Sequence, residues 1–187
     1  MSVTLQLINS RREDKTVEAK EQAGLIIVCP GQGKSVNLGG LGVDFKVWGY
    51  QTGGRLAIVE HPIAPYRLVP PHTHTMEDEL SYVLQGRIGV RVGDEIAEAG
   101  AGTYIYKPCN VPHTFWNPGS EPARLLEIIC PAGFENYFME IAELFEKGGK
   151  PGGSEHETIA GRYHESHFMD WVPELKQRFG LKVLGEP

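Results

Sequence analysis

Cysteine is scarce. Cys29, Cys109 and Cys130 are an odd number with no CxxC spacing, which excludes a disulfide framework and leaves three reduced, packed thiols as the expectation. Cys109 is read in the same way, since nothing beside it in the sequence marks a reactive thiol. Positive charge is also short: 18 Lys and Arg against 24 Asp and Glu give a formal net charge of −6. No basic stripe offsets that balance, so neither a nucleic acid nor a membrane surface is expected as a partner. Long apolar runs are missing as well. The opening residues, MSVTLQLINSRREDK, contain neither a signal-peptide core nor a membrane span, and a cytoplasmic location is the default expectation. No repeat of fixed period occurs.

Glycine and proline are plentiful, at 23 and 13 residues, and spread along the chain. That distribution suits many short strands joined by tight turns, as in sandwiches and barrels. With 187 residues and 41% apolar content, the chain is long enough for one domain with appendages. Residues 1–22 are polar, with a short alternation of Val3, Leu5 and Leu7 that suits an edge strand or a frayed tail. Residues 23–133 read as strand and turn: LIIV, RLAIVEHPIAPYRLV, LSYVLQG, RIGVRVGDEIAEAG, TYIYKP, HTFWN and ARLLEIIC. Gly93-Asp94 separates two of these runs and reads as a two-residue hairpin turn.

Beyond residue 133 the period changes. Phe134, Tyr137, Phe138, Ile141, Leu144 and Phe145 recur at steps of three and four, which predicts an amphipathic helix. Its aromatic stripe reads as core or dimer contact, with a ligand lid as the lesser alternative. A Gly-rich linker at 148–154 follows, then helical patterns over Thr158 to about Glu165 and over Asp170 to Phe179. Asp170 is the expected cap and Gly180 the stop. Residues 134–187 thus form a helical extension that covers the barrel, closes its mouth or joins two chains. His164 to His167, HESH, has its histidines three apart where a zinc-protease helix needs four, and is read as surface helix.

The chemistry concentrates in PPHTHTMEDELSYVLQG, residues 70–86. Alternate side chains on a strand share a face, so His72 and His74 project together. Glu79 lies an odd step away, which requires a turn over Thr75 to Asp78. After that turn Glu79, Ser81 and Val83 face one way while Leu80, Tyr82 and Leu84 face the other. Glu77 and Asp78 read as a solvated acidic turn. Downstream, His113 opens a strand after a Pro-rich turn. Three imidazoles and a carboxylate suit one divalent transition-metal ion, iron, manganese, nickel, cobalt, copper or zinc, with a coordination position left open. His61 and His156 carry no claim.

These residues closely resemble the cupin superfamily. His72, His74, Glu79 and Gly86 match HxH(x)3-4E(x)6G, and Gly102, Pro108, His113 and Asn117 match G(x)5PxG(x)2H(x)3N. Tyr66 and Asn110 replace two glycines of the pattern. The resemblance spans roughly Val43 to Phe138. It implies an all-β core with C-terminal helices: a double-stranded β-helix, which is a small antiparallel β-barrel or jelly roll, with the metal in its mouth.

Within that superfamily the chain looks most like single-domain cupins related to quercetin 2,3-dioxygenase. That finer resemblance implies a dioxygenase acting on a small enolisable or aromatic, flavonol-like substrate with O2. His72, His74 and His113 would hold the metal, and Glu79 would be both ligand and general base. Tyr66, Ser81, Tyr104, Tyr106 and Phe115 are the pocket candidates, strand parity leaving open which of Tyr104 and Tyr106 points inward. The alternatives are a metal-binding module that binds a small ligand without oxygenation, and a cupin isomerase or decarboxylase. Glu79 argues against a thiol dioxygenase, the intact ligand set against a sugar-nucleotide epimerase, and the lack of a DNA-binding helix pair against a regulator. A homodimer is expected, because an open barrel leaves sheet edges and an apolar mouth to cover.

Overall fold

The computed structural model describes residues 24–187. The polar segment 1–22, with Val3, Leu5 and Leu7, lies outside the described residues. Where apolar and polar residues alternate, the chain forms strands with one buried face. Ala57–Ile63 (β3) buries Ala57, Val59, His61 and Ile63, and Ala123–Cys130 (β11) buries Ala123, Leu125, Glu127 and Ile129. Asp78–Gln85 (β6) buries Glu79, Ser81 and Val83, the parity expected from the sequence. With Ser35–Asn37 (β1), Gly42–Val47 (β2) and Tyr104–Lys107 (β9), these strands form an antiparallel sheet in the order β1-β2-β3-β11-β6-β9.

The second sheet is built on His113–Trp116 (β10). It pairs on one side with Arg67–Leu68 (β4) and His72–His74 (β5), and on the other with Arg87–Val92 (β7). Strand β7 turns at Gly93-Asp94 into Glu95–Gly100 (β8), and Gly93 takes the φ of 57° that the hairpin needs. Gly89 serves differently: it lies opposite Trp116, and an added Cβ would fall 2.1 Å from the indole ring. Inner-face residues of both sheets, among them Val59, Val83, Leu125, Ile88 and Phe115, join in one core. Each fully buried aliphatic side chain there contributes about 1.5–3 kcal/mol.

The helical extension departs from expectation in three places. Glu135–Glu146 (α1) forms on the predicted stripe, and Glu135 anchors it by accepting hydrogen bonds from the backbone N–H groups of Gly49 (2.9 Å) and Gly133 (2.6 Å). Ser154–Arg162 (α2) starts earlier than the pattern suggests and ends before His164, which adopts a positive φ of 56°. Residues 165–167 are therefore not surface helix. Glu165–His167 form a strand (β12) that pairs antiparallel with β5, because the edge of β5 offers unpaired backbone groups for it to satisfy. Finally, Val172–Phe179 (α3) has Trp171 at its cap position with no side-chain cap, so Asp170 does not cap it; Pro173 lies in its first turn, and Gly180 (φ 67°) ends it as expected. Lys182–Val183 (β13) then pairs with β4 in parallel. Under α3 a second apolar cluster gathers Leu68, Trp116, Val172, Leu175, Leu181 and Val183. No described helix is long and apolar enough to cross a membrane.

Candidate metal centre

Strand β5 carries His72 and His74 into the barrel, and β10 sets His113 directly opposite His72. The three ring centroids lie 4.5–5.4 Å apart. Glu79, first inward residue of β6 after the turn, completes the group: Oε1 is 3.5 Å from His74 Nε2 and Oε2 is 3.3 Å from His113 Nε2. One ligand atom from each of the four lies within 4.8 Å of all the others, and all four residues are buried.

Two backbone carbonyls fix the ring orientations. His72 Nδ1–H donates to Pro70 O (2.7 Å) and His113 Nδ1–H donates to Val111 O (2.9 Å), which leaves each Nε2 as a lone pair directed away from those carbonyls. Burial lowers the proton affinity of His72 well below the usual imidazole range, with His113 and His74 adding to it. Burial likewise takes His74 down to about 4, against the pull of Glu79. The Nε2 atoms of His74 and His113 are buried with no hydrogen-bond partner. Imidazole nitrogens without hydrogen-bond partners, converging on a carboxylate, fit a divalent cation.

A second polar layer stands behind Glu79. Lys107, opposite Glu79 on β9, places Nζ 2.7 Å from Glu79 Oε2 and 2.8 Å from Glu127 Oε1. Ser81 Oγ donates to Glu127 Oε1 (2.7 Å), and His61, whose Nδ1–H donates to Gly42 O, turns Nε2 to within 3.9 Å of Glu127 Oε2. Burial alone would raise the Glu79 carboxyl, but the Lys107 ammonium and the neighbouring imidazoles hold it well below the usual carboxylate range. Counting Glu79, Glu127 and Lys107, the buried layer has one negative charge in excess, and a dication would turn that into one positive charge.

The ligand set borders a cavity of about 60 Å³. Phe115 lines it, and Ser81 is buried just behind, bound to Glu127. Three pocket candidates are not there. Tyr66 sits at a surface corner between β3 and β4 (φ 57°, 41% exposed), and Tyr104 and Tyr106 are 69% and 56% exposed. The last two, being two apart, share a face, and pairing with β6 turns Lys107 inward and both tyrosines out. The acidic turn is not simply solvated either. Glu77 is buried, its carboxyl raised to about 7 by burial and by Glu79, and Asp78 accepts a hydrogen bond from the backbone N–H of Cys109 (2.8 Å).

Sequence reasoning missed Lys107, Glu127, Glu165 and His167. Glu127 had a signal, a lone acid at an inward position of the apolar run ARLLEIIC. Lys107, placed before a proline, had none. On the far side of the cavity lie Phe134, Tyr137, Phe138 and Ile141, so the predicted aromatic stripe is core and cavity lining at once.

The family model of the cupin domain matches residues 62–129. The fold is a cupin fold. An uncharacterized protein of Methanocaldococcus jannaschii is 33% identical over 75 residues, 40% of this chain and 57% of the relative, so the match spans little more than half of that relative's length. An RmlC-like cupin from Shewanella frigidimarina superposes with a TM-score of 0.51 at 21% identity, over 58% of this chain and 92% of its own. The polyketide cyclase RemF from Streptomyces resistomycificus gives a TM-score of 0.50 at 24% identity, over 57% of this chain and 80% of its own. These structural likenesses concern the fold alone. All four candidate ligands, Lys107 and Glu127 lie inside the matched cupin segment, whereas the cavity wall from α1 and β12 lies beyond it.

Proposed function

We propose that the protein is a metal-dependent enzyme that enolises a small substrate for reaction with O2. The observation that carries this reading is the buried set of three imidazoles and one carboxylate at the edge of a cavity partly walled by Phe134, Phe138 and Ile141. A divalent ion bound by His72, His74, Glu79 and His113 would supply a Lewis acid with an open coordination position. The carbonyls of Pro70 and Val111 hold two of the rings in the ligating tautomer. Glu79 is the assigned proton acceptor, at Oε1, because Oε2 is engaged by Lys107. A carboxylate of such low proton affinity suits only a substrate proton that has been strongly acidified. Phe134 and Phe138 give the cavity an apolar lining. With both atoms of O2 ending in the product, no external reductant is needed.

The cavity narrows the substrate. Its roughly 60 Å³ corresponds to about four water positions, whereas pockets for drug-sized ligands run to about 300–1,000 Å³. A flavonol is much larger than this cavity, whose volume suits a compound of a few carbons.

The test is anaerobic loading with iron(II), manganese, cobalt or nickel, followed by oxygen uptake with pentane-2,4-dione and with quercetin. Uptake with the small diketone, lost in Glu79→Gln, is expected. Metal bound at one equivalent with no uptake across the panel would make the protein a ligand-binding module, substrate loss without uptake would make it a non-oxidative cupin, and rapid quercetin turnover would overturn the size argument.

A further inference from the structure

Strand β12 brings to the cavity two side chains that the matched cupin segment does not contain. Glu165 pairs with His74 and His167 with His72 across the β12–β5 ladder. Alternation turns Glu165 and His167 to the cavity and leaves Ser166 exposed. Glu165 is 7% exposed and its Oε2 is buried with no hydrogen-bond partner.

The neighbours of Glu165 are already committed. The backbone N–H of Gly152 donates to His156 Nδ1 (2.8 Å), so the proton of that ring lies on Nε2 and is donated to the Tyr137 hydroxyl (2.8 Å). The Tyr137 O–H is then free to donate to Glu165, beside which it lies. His167 Nε2 is 3.6 Å from Glu165 Oε1, and its Nδ1 is 3.4 Å from Glu157 Oε1 at the half-exposed end of the group. Because both nitrogens of His156 are used, the trio His156, Glu157 and His167 is a poor metal site despite its composition. What remains is a carboxyl group held on one side by protein, with one oxygen unsatisfied at the wall of a cavity that also carries His72 and Glu79. Native structures keep few buried polar atoms unpaired without a ligand or a function.

We propose that Glu165 is the specificity-determining residue of this cavity, hydrogen-bonding a substrate hydroxyl through its unpaired oxygen while the substrate carbonyl faces the metal ligands. The substrate class is a small hydroxycarbonyl compound. Tyr137 and His167 are the positioning residues that aim this carboxyl group. The assignment rests on the reading of the cavity as the substrate site.

Hydroxyacetone and butan-2-one, which differ by a hydroxyl against a methyl group, provide the test. The full-length chain is loaded with cobalt(II), and binding is followed through the visible spectrum of the metal for the wild type, Glu165→Gln and Glu165→Leu. Glu165→Leu is expected to weaken hydroxyacetone binding by about tenfold or more at unchanged cobalt stoichiometry, with butan-2-one unaffected and Glu165→Gln in between. Equal hydroxyacetone affinity in the wild type and in whichever variant folds overturns the role of Glu165 while leaving the cavity as substrate site. If neither ketone perturbs the wild-type cobalt spectrum, the cavity does not take small carbonyl compounds and both readings fall.

Discussion

Lys107 Nζ lies 2.7 Å from Glu79 Oε2 inside the barrel, with 1% of the lysine side chain exposed. Burial would lower the proton affinity of this amine, but Glu127 and Glu79 more than reverse that, so it remains an ammonium ion. The cation orients a candidate metal ligand and balances charge that the ion would otherwise have to meet alone.

Lys107→Met leaves Glu79 and Glu127 buried without their counter-charge. A loss of about 3–5 kcal/mol in urea unfolding is expected for the metal-free protein, partly recovered when a divalent ion is added. A loss below about 1 kcal/mol would show that the ammonium does not balance this site.

Metal binding should stabilise the fold in proportion to ligand excess. At an ion concentration of about 100 Kd the gain is about 2.7 kcal/mol, or roughly 5–10 °C in Tm for a chain of this size. His113→Ala should remove most of this shift and lower metal content about tenfold. Unchanged stoichiometry by elemental analysis would count against the four-residue set.

The pH dependence of the metal-free protein has two opposed arms. Burial raises the Glu165 carboxyl to about 8, so its contribution is full below the unfolded value of 4.5 and is lost as pH rises through about 8. Burial takes His74 to about 4, so its contribution is full above 6.5 and is lost as pH falls towards 4. Glu165→Gln is expected to flatten the decline in the urea midpoint between pH 6.5 and 8 and to leave the acid arm in place. Parallel profiles for the two proteins would contradict the burial effect assigned to Glu165.

A homodimer remains the expectation, and light scattering checks it against the chain mass of 20.7 kDa. Strand β9 is an edge of the first sheet and exposes Tyr104 and Tyr106, the kind of edge a second copy covers. A monomeric mass removes the expectation.

Much of the site was legible because strand parity is a local property. The odd step from His74 to Glu79 demanded a turn, and the turn is there; Glu79, Ser81 and Val83 then face inward together. Gly93 and Gly180 announced their turns through the φ values they supply. Parity gives a relative face, however, and not its sign. Tyr104 and Lys107 differ by an odd step, and only pairing with β6 decides which of them enters the core. Strand β12 was illegible for a related reason: three residues carry no period, and Glu165–His167 are extended only because β5 presents an open edge to them. Tyr66 and Asn110, which stand where the motif has glycine, do take positive φ at 57° and 63°, so the backbone demand of those corners persisted without the residue that usually meets it.

The pairing of β12 with β5 also orders events during synthesis. The backbone N–H of Thr75 donates to the carbonyl of His164, residues 89 positions apart, at the end of that ladder. A nascent chain that has emerged only through β11 already holds all four candidate metal ligands, yet its histidine strand has a bare edge and its cavity lacks the wall from α1 and β12. The four candidate ligands are thus in place before β12, whose Glu165 is the proposed selector of substrate.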